Sequence, residues 1–142
     1  MADPNDPGLL TPAETSLLID RYEITMAASY HGLGRNDPAV FELFVRKLPP
    51  HRDWLVVCGL GPTLRLIAEM RFGAAELEYL GTLGCNDDFL GYLEGFRFSG
   101  DIEAMPEGTI AFPDEPLVRV TAPLIDAQLL ETLLLTRSTF RR

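Results

Sequence analysis

The segment Leu124-Ile125-Asp126-Ala127-Gln128-Leu129-Leu130-Glu131-Thr132-Leu133-Leu134-Leu135 constrains this chain more than any other. Pro123 opens it, and few polar positions interrupt it, Asp126, Glu131 and Thr132 among them. A helix with so little polar circumference has to be covered nearly all round. Only Thr136 to Arg142 follow, so the expectation is a helix in need of a partner that this sequence does not visibly supply. The segment is well short of the roughly 18 apolar residues that a membrane span requires.

Punctuation organises the rest. Residues 1–10 are rich in turn-formers and aspartate, the composition of a fraying lead. Thr11-Pro12-Ala13-Glu14 has the form of a capping box with proline at the first helical position. Leu18, Tyr22, Thr25, Met26 and Ser29 or Tyr30 then recur at helical spacing, up to the stop at Gly32 and Gly34. This predicts one helix ending by about residue 32, with a possible break near Asp20. Val40 to Leu48 reads as a well-buried strand between Asn36-Asp37-Pro38 and Pro49-Pro50, and Trp54 to Cys58 as a second, strongly apolar one. Helices follow from Pro62 to Met70, from Ala74 to Leu83 before Gly84, and from the cap Asn86 to Gly95. Three short strands are predicted over 100–104, 109–112 and 117–121, with proline-rich turns between them. The fold class is therefore α+β.

Twelve Lys and Arg against twenty-one Asp and Glu give a formal charge of −9 on 142 residues. So acidic a surface repels phosphate backbones and anionic lipid, which leaves neither nucleic acid nor membrane as an expected partner. The acids and prolines of Met1 to Pro7 stand where a signal peptide needs positive charge and an apolar core, and the expected location is cytoplasmic. Cys58 and Cys85 make no disulfide framework, and Cys58 reads as a small buried hydrophobe.

Little chemistry is legible from spacing. His31 and His51 fall in turn regions without a cysteine or carboxylate at ligand spacing, and read as solvent-facing; no metal site is expected. Gly59-Leu60-Gly61-Pro62 between strand and helix lacks the Gly-Lys-Ser/Thr ending of a phosphate loop and reads as a turn. No serine lies in a G-x-S-x-G elbow. The acidic pairs Asp87-Asp88, Asp114-Glu115 and Glu76/Glu78 read as capping and solvated groups. No catalytic residue and no cofactor of this chain's own follow from these patterns.

Read as words, the segments carry more. Leu17-Leu18-Ile19-Asp20-Arg21-Tyr22-Glu23-Ile24-Thr25-Met26-Ala27 resembles the opening of the nicotinate phosphoribosyltransferases, in which threonine usually stands where this chain has Ile19. Phe41 to Pro49, Val56 to Leu60, Phe96 to Asp101, Met105 to Pro113, Pro116 to Val120 and Gln128 to Leu134 resemble that family's next blocks, in order. The resemblance covers about residues 17–135 and implies three regions: a lead over 1–16, the family's N-terminal domain over 17–135, and a divergent tail over 136–142. Ser138-Thr139-Phe140 departs from the family's wording, and the expectation is a chain truncated or frame-shifted inside a helix, without the family's catalytic barrel.

The resemblance implies an N-terminal domain of type II phosphoribosyltransferase type, a mixed or antiparallel sheet with packed helices. It also implies a reaction, attack of nicotinate on 5-phosphoribosyl-1-pyrophosphate (PRPP) to give nicotinate mononucleotide for NAD biosynthesis. That glycosyl transfer is coupled to ATP and accompanied by Mg²⁺ in the intact enzyme. The phosphorylated histidine belongs to the later barrel, so neither His31 nor His51 takes that role. Tyr22 matches the tyrosine that stacks on the pyridine ring from the neighbouring subunit of a homodimer; the other reading places it in the core with Leu18 and Met26. Asp20 and Glu23 flank it, either orienting the ring or pairing with a partner-chain arginine, or serving as capping and solvated groups. Thr25 and Met26 read as packing, and Arg46 and Lys47 as phosphate or subunit contacts or as strand-edge charge. Pro106-Glu107-Gly108-Thr109 reads as a turn required for geometry alone. Acting alone, such a chain is expected to show no turnover. The alternatives are a non-catalytic dimerisation module, with helix 124–135 as its adhesive face, and a non-functional truncated product.

Overall fold

The computed structural model describes residues 15–137. The capping box at Thr11–Glu14 and the departure at Ser138-Thr139-Phe140 lie outside the described residues. In chain order the elements are α1 (Arg21–Gly32), β1 (Pro38–Phe44), β2 (Leu55–Val56), α2 (Leu60–Glu69), α3 (Ala74–Thr82), α4 (Asp87–Glu94), β3 (Asp101–Ala104), β4 (Ile110–Ala111), β5 (Pro116–Pro123), α5 (Leu124–Leu129) and α6 (Glu131–Arg137).

The strands form two antiparallel sheets, a three-stranded one in the order β1-β5-β3 and a ribbon of β2 with β4. Register divides the larger sheet into two chemistries. Phe41, Val120 and Ile102 form one row across the strands and Leu43, Val118 and Ala104 another, and these turn inward. Between them the row Glu42, Arg119, Glu103 faces water, its arginine 2.8 Å from Glu42 and 3.8 Å from Glu103. Such alternation is what an antiparallel sheet with one solvated face requires. The expectation of a well-buried first strand is corrected accordingly: β1 is an edge strand buried on one face, with Val40 and Phe44 exposed. Trp54 likewise lies exposed outside β2.

The largest correction concerns the apolar C-terminal segment. It is two helices rather than one, with Leu130 closing a tighter turn onto the Ala127 carbonyl before α6 begins. Both helices are covered by this chain. α5 packs on α1, β1 and β5, α6 touches α2, and Leu129, Leu130 and Leu133 are fully buried. The partner missing from a linear reading is the rest of the domain, folded back around the segment. Most of segment 124–135 is therefore covered within the chain, and Leu135 is its exposed leucine.

Two fixtures hold this arrangement. Asn36 Oδ1 accepts the Ile125 N–H and the Asp37 carbonyl accepts the Leu124 N–H, capping α5 from the α1–β1 connection. Asp126, only 3% exposed, accepts the Ser99 N–H and hydroxyl on Oδ2 at 2.9 and 3.1 Å, and the Tyr92 hydroxyl on Oδ1 at 3.2 Å. Gly100 beside it runs so close to β5 that a Cβ would meet the Thr121 carbonyl oxygen at 2.7 Å and the Ala122 Cβ at 2.6 Å. A glycine is needed there for clearance.

Candidate functional site

The buried face of α1 is Glu23, Ile24 and Ala27. That phase leaves Tyr22, Thr25, Met26 and Ser29 on the opposite, exposed side. Tyr22 is thus outside the core, 48% exposed, and Thr25 and Met26 are not packing residues either. The Thr25 and Ser29 hydroxyls bond back to the Arg21 and Thr25 carbonyls instead.

What fixes Tyr22 comes from the far end of the chain. Its hydroxyl donates to Glu131 Oε1 at 2.7 Å, across 109 residues of sequence, and Gln128 Nε2 donates to Glu131 Oε2 at 2.8 Å. One residue further on, the Thr132 hydroxyl donates to Glu23 Oε1 at 2.7 Å and accepts the Asp20 N–H at 3.2 Å. Asp20 is the N-cap of α1, yet its carboxylate makes no cap bond and is exposed. Glu23 is fully buried, and its Oε2 has no partner. The structure divides these candidates by exposure: Tyr22 and the Asp20 side chain face solvent, whereas the Glu23 carboxylate is buried beside Tyr22.

Electrostatics follow from these contacts. The bond to the Glu131 carboxylate, with smaller contributions from desolvation and from the Glu131 and Glu23 charges, holds the Tyr22 hydroxyl well above the ordinary tyrosine range. Burial pushes the Glu23 carboxyl up and outweighs the Thr132 hydroxyl that favours its ionised form. Burial, reinforced by the nearby Asp126 carboxylate, pushes the Tyr92 hydroxyl up to about 12.

Glu131, Thr132 and Gln128 were not site candidates in the sequence. Their signal was there: three polar residues at 128, 131 and 132 on one face of an otherwise apolar helix need polar company. Elsewhere the structure places charge as structural support. Glu107 Oε1 accepts the Gly61 N–H at 2.9 Å, so the turn at 106–109 also caps α2. Glu115 Oε2 accepts the Phe112 N–H, and Asn86 Oδ1 caps α4 through the Phe89 N–H at 2.9 Å. His31 is not simply solvent-facing, because its ring lies 5.1 Å from that of Tyr92 and 5.7 Å from that of Phe89. Arg46 and Lys47 are exposed beyond β1.

A groove of about 340 Å³ is lined by Glu131 with Phe41, Phe44, Arg46, Leu134 and Leu135, and a cleft of about 330 Å³ lies between α1 and the α3–α4 connection. Tyr22 lines neither. Among the described residues no three His, Cys, Asp or Glu side chains converge. Among the same residues no helix is long and apolar enough to cross a membrane.

Comparison with known proteins gives one consistent result. Residues 17–137 match the family model described as the nicotinate phosphoribosyltransferase (NAPRTase) N-terminal domain. Nicotinate phosphoribosyltransferase pncB2 of Mycobacterium tuberculosis (strain H37Rv) is 46% identical over 123 residues, which cover 86% of this chain and 27% of the relative. The Bacillus subtilis enzyme of the same name is 42% identical over 122 residues, 84% of this chain and 25% of the relative. The crystal structure of human nicotinic acid phosphoribosyltransferase superposes with a TM-score of 0.79 at 35% identity, covering 87% of this chain and 26% of that one. The chain thus spans about a quarter of the length of the relatives it matches. Its mixed helices and antiparallel sheets are those of the family's N-terminal domain, with no barrel in the described residues.

Proposed function

This chain belongs to the nicotinate phosphoribosyltransferase family, matching its N-terminal domain, and from that premise we propose that it serves nicotinate salvage toward NAD by presenting Tyr22 to the pyridine ring. The observation that carries the reading is the Tyr22 ring itself: half exposed, outside the two grooves described, and tied at its hydroxyl to Glu131 at 2.7 Å. An aromatic face held toward solvent suits offset stacking on a flat heteroaromatic, worth about 0.5–1.5 kcal/mol beyond area burial. Stacking also restricts the ring nitrogen to directions from which it can attack.

In this reading the site is completed by a second subunit of a cytoplasmic homodimer, and Asp20, exposed at the N-cap of α1, lies at its rim. Glu23 acts from below, setting the start of α1 through Thr132. Mg²⁺ and ATP act with PRPP in the whole enzyme, and this chain's own contribution is the tyrosine face. Pyrophosphate departure from a ribosyl centre needs cationic support, whereas the Gly61 N–H at the start of α2 is taken by the Glu107 carboxylate. The chain by itself therefore carries no turnover, and its activity belongs to an assembly with the family's remaining elements.

A chimera tests this. Residues 17–137 replace the matching quarter of the Mycobacterium tuberculosis relative, and steady-state rates are measured with nicotinate, PRPP, Mg²⁺ and ATP. The chimera turns over, and Tyr22→Ala raises its KM for nicotinate about 2- to 13-fold, the range that stacking supplies. An unchanged KM removes Tyr22 from the site. Turnover by the 142-residue chain alone, lost in its Tyr22→Ala variant, overturns the claim of inactivity.

A further inference from the structure

A tyrosine on the solvent side of a helix ordinarily samples several rotamers, because no neighbour walls in its ring. Tyr22 is in that position, yet its ring is held at both ends, by the α1 backbone at Cβ and by Glu131 at the hydroxyl. A phenolic O–H prefers the plane of its ring, so an acceptor fixed in space selects the tilt of the ring as well as the position of its tip. Glu131 is such an acceptor. It opens α6, where the helix dipole favours a carboxylate, and its second oxygen is held by Gln128 at 2.8 Å. The adjacent Thr132 ties the same turn to Glu23 and to the Asp20 N–H. Two consecutive residues of α6 therefore clamp the first turn of α1, and the carboxylate is not free to swing away.

We infer that Glu131 is the positioning residue of Tyr22, setting the plane that the ring offers to a planar ligand. The inference rests on the reading of Tyr22 as the pyridine-stacking residue, and adds the group that makes stacking geometrically selective.

The test uses the chimera in which residues 17–137 replace the matching part of the Mycobacterium tuberculosis relative, labelled at tyrosine Cζ and the ring carbons. Tyr22→Phe assigns the resonances, and Tyr79 is the internal reference, since it is as exposed as Tyr22 and its hydroxyl has no hydrogen bond among the described residues. Carbon shifts and ring relaxation are measured for wild type, Glu131→Ala and Glu131→Gln, before and after addition of nicotinate. In Glu131→Ala the Tyr22 Cζ shift moves to that of Tyr79, ring order is lost, and the nicotinate-induced shift falls at least several-fold. Glu131→Gln keeps an acceptor oxygen and restores most of all three, a rescue that a purely structural role would not produce. Unchanged Tyr22 shift and ring order in Glu131→Ala overturn the inference, as does full nicotinate response in that variant. A wild-type ring that ignores nicotinate while Glu131→Ala still frees it sinks the stacking reading and leaves the positioning intact.

Discussion

Replacing Asp126 should cost this fold about as much as truncating one of its buried leucines. The carboxylate is 3% exposed and accepts three hydrogen bonds, two from Ser99 and one from Tyr92, which pin the segment entering β3 and helix α4 to the start of α5. Bonds to a charged acceptor contribute roughly 1.5–3 kcal/mol each and neutral ones about half that. The three do not add in full, because Ser99 is exposed and its N–H recovers water. Asp126→Ala is therefore expected to lose about 3 kcal/mol. Asp126→Asn, which keeps one oxygen for Ser99 and turns an amide toward Tyr92, should lose about 1–2 kcal/mol. Urea unfolding at constant m-value measures both, and each kcal/mol corresponds to about 3–5 °C of melting temperature in a domain of this size. Tyr92 supplies an independent sign. A hydroxyl raised to about 12 contributes stability that is whole below the ordinary tyrosine value and is lost as pH climbs through the folded one. In Asp126→Asn that loss should set in at the same ordinary value but be smaller and level off sooner, because the Asp126 contribution is gone while burial, the larger cause, remains. If Asp126→Ala stays within about 1 kcal/mol of wild type, the network is incidental and the leucines alone hold α5.

Three further outcomes follow from the same structure. Gly100→Ala drives a methyl to within 2.6–2.7 Å of β5 atoms and should lower stability by about 1–3 kcal/mol, read as a fall in melting temperature. Glu23→Gln should be more stable than wild type at pH 7, because a carboxyl raised by burial gives its full contribution below the usual glutamate range and loses it as pH rises; urea titrations at pH 7 and near pH 4 should show the advantage vanish on acidification. Asn86→Ala removes the acceptor for the Phe89 N–H and should cost about 1 kcal/mol, with faster amide exchange confined to the first turn of α4.

Local punctuation carried most of the secondary structure. The Asn86 cap, Gly84 in a left-handed turn and the stop at Gly95 place α3 and α4 within a residue or two of their expected bounds, because those residues act on their own neighbourhood. Pro116 and Pro123 similarly bracket β5. Burial was less legible. An apolar helix near the end of a chain announces that it needs covering, but whether α1, α2 and the sheet supply the cover depends on topology that periodicity does not encode. The site shows the same division. The words around Tyr22 pointed to a pyridine-handling family, while the phase of α1 that turns Tyr22 outward and Glu23 inward is set by packing. The partners Glu131 and Thr132 lie 109 residues away, where no local pattern reaches.

The strand order β1-β5-β3 also has a consequence in time. The middle strand is the last of the three to be synthesised, so β1 and β3 emerge with no neighbour to pair with. At 5–20 residues per second, the stretch from Phe44 to Pro116 leaves β1 waiting roughly 4–14 s. During that interval the row Phe41 and Leu43 has neither sheet partner nor the helix that later covers it. Closure of the larger sheet thus waits on β5, and a chaperone that shields nascent apolar strands would find its longest engagement at β1.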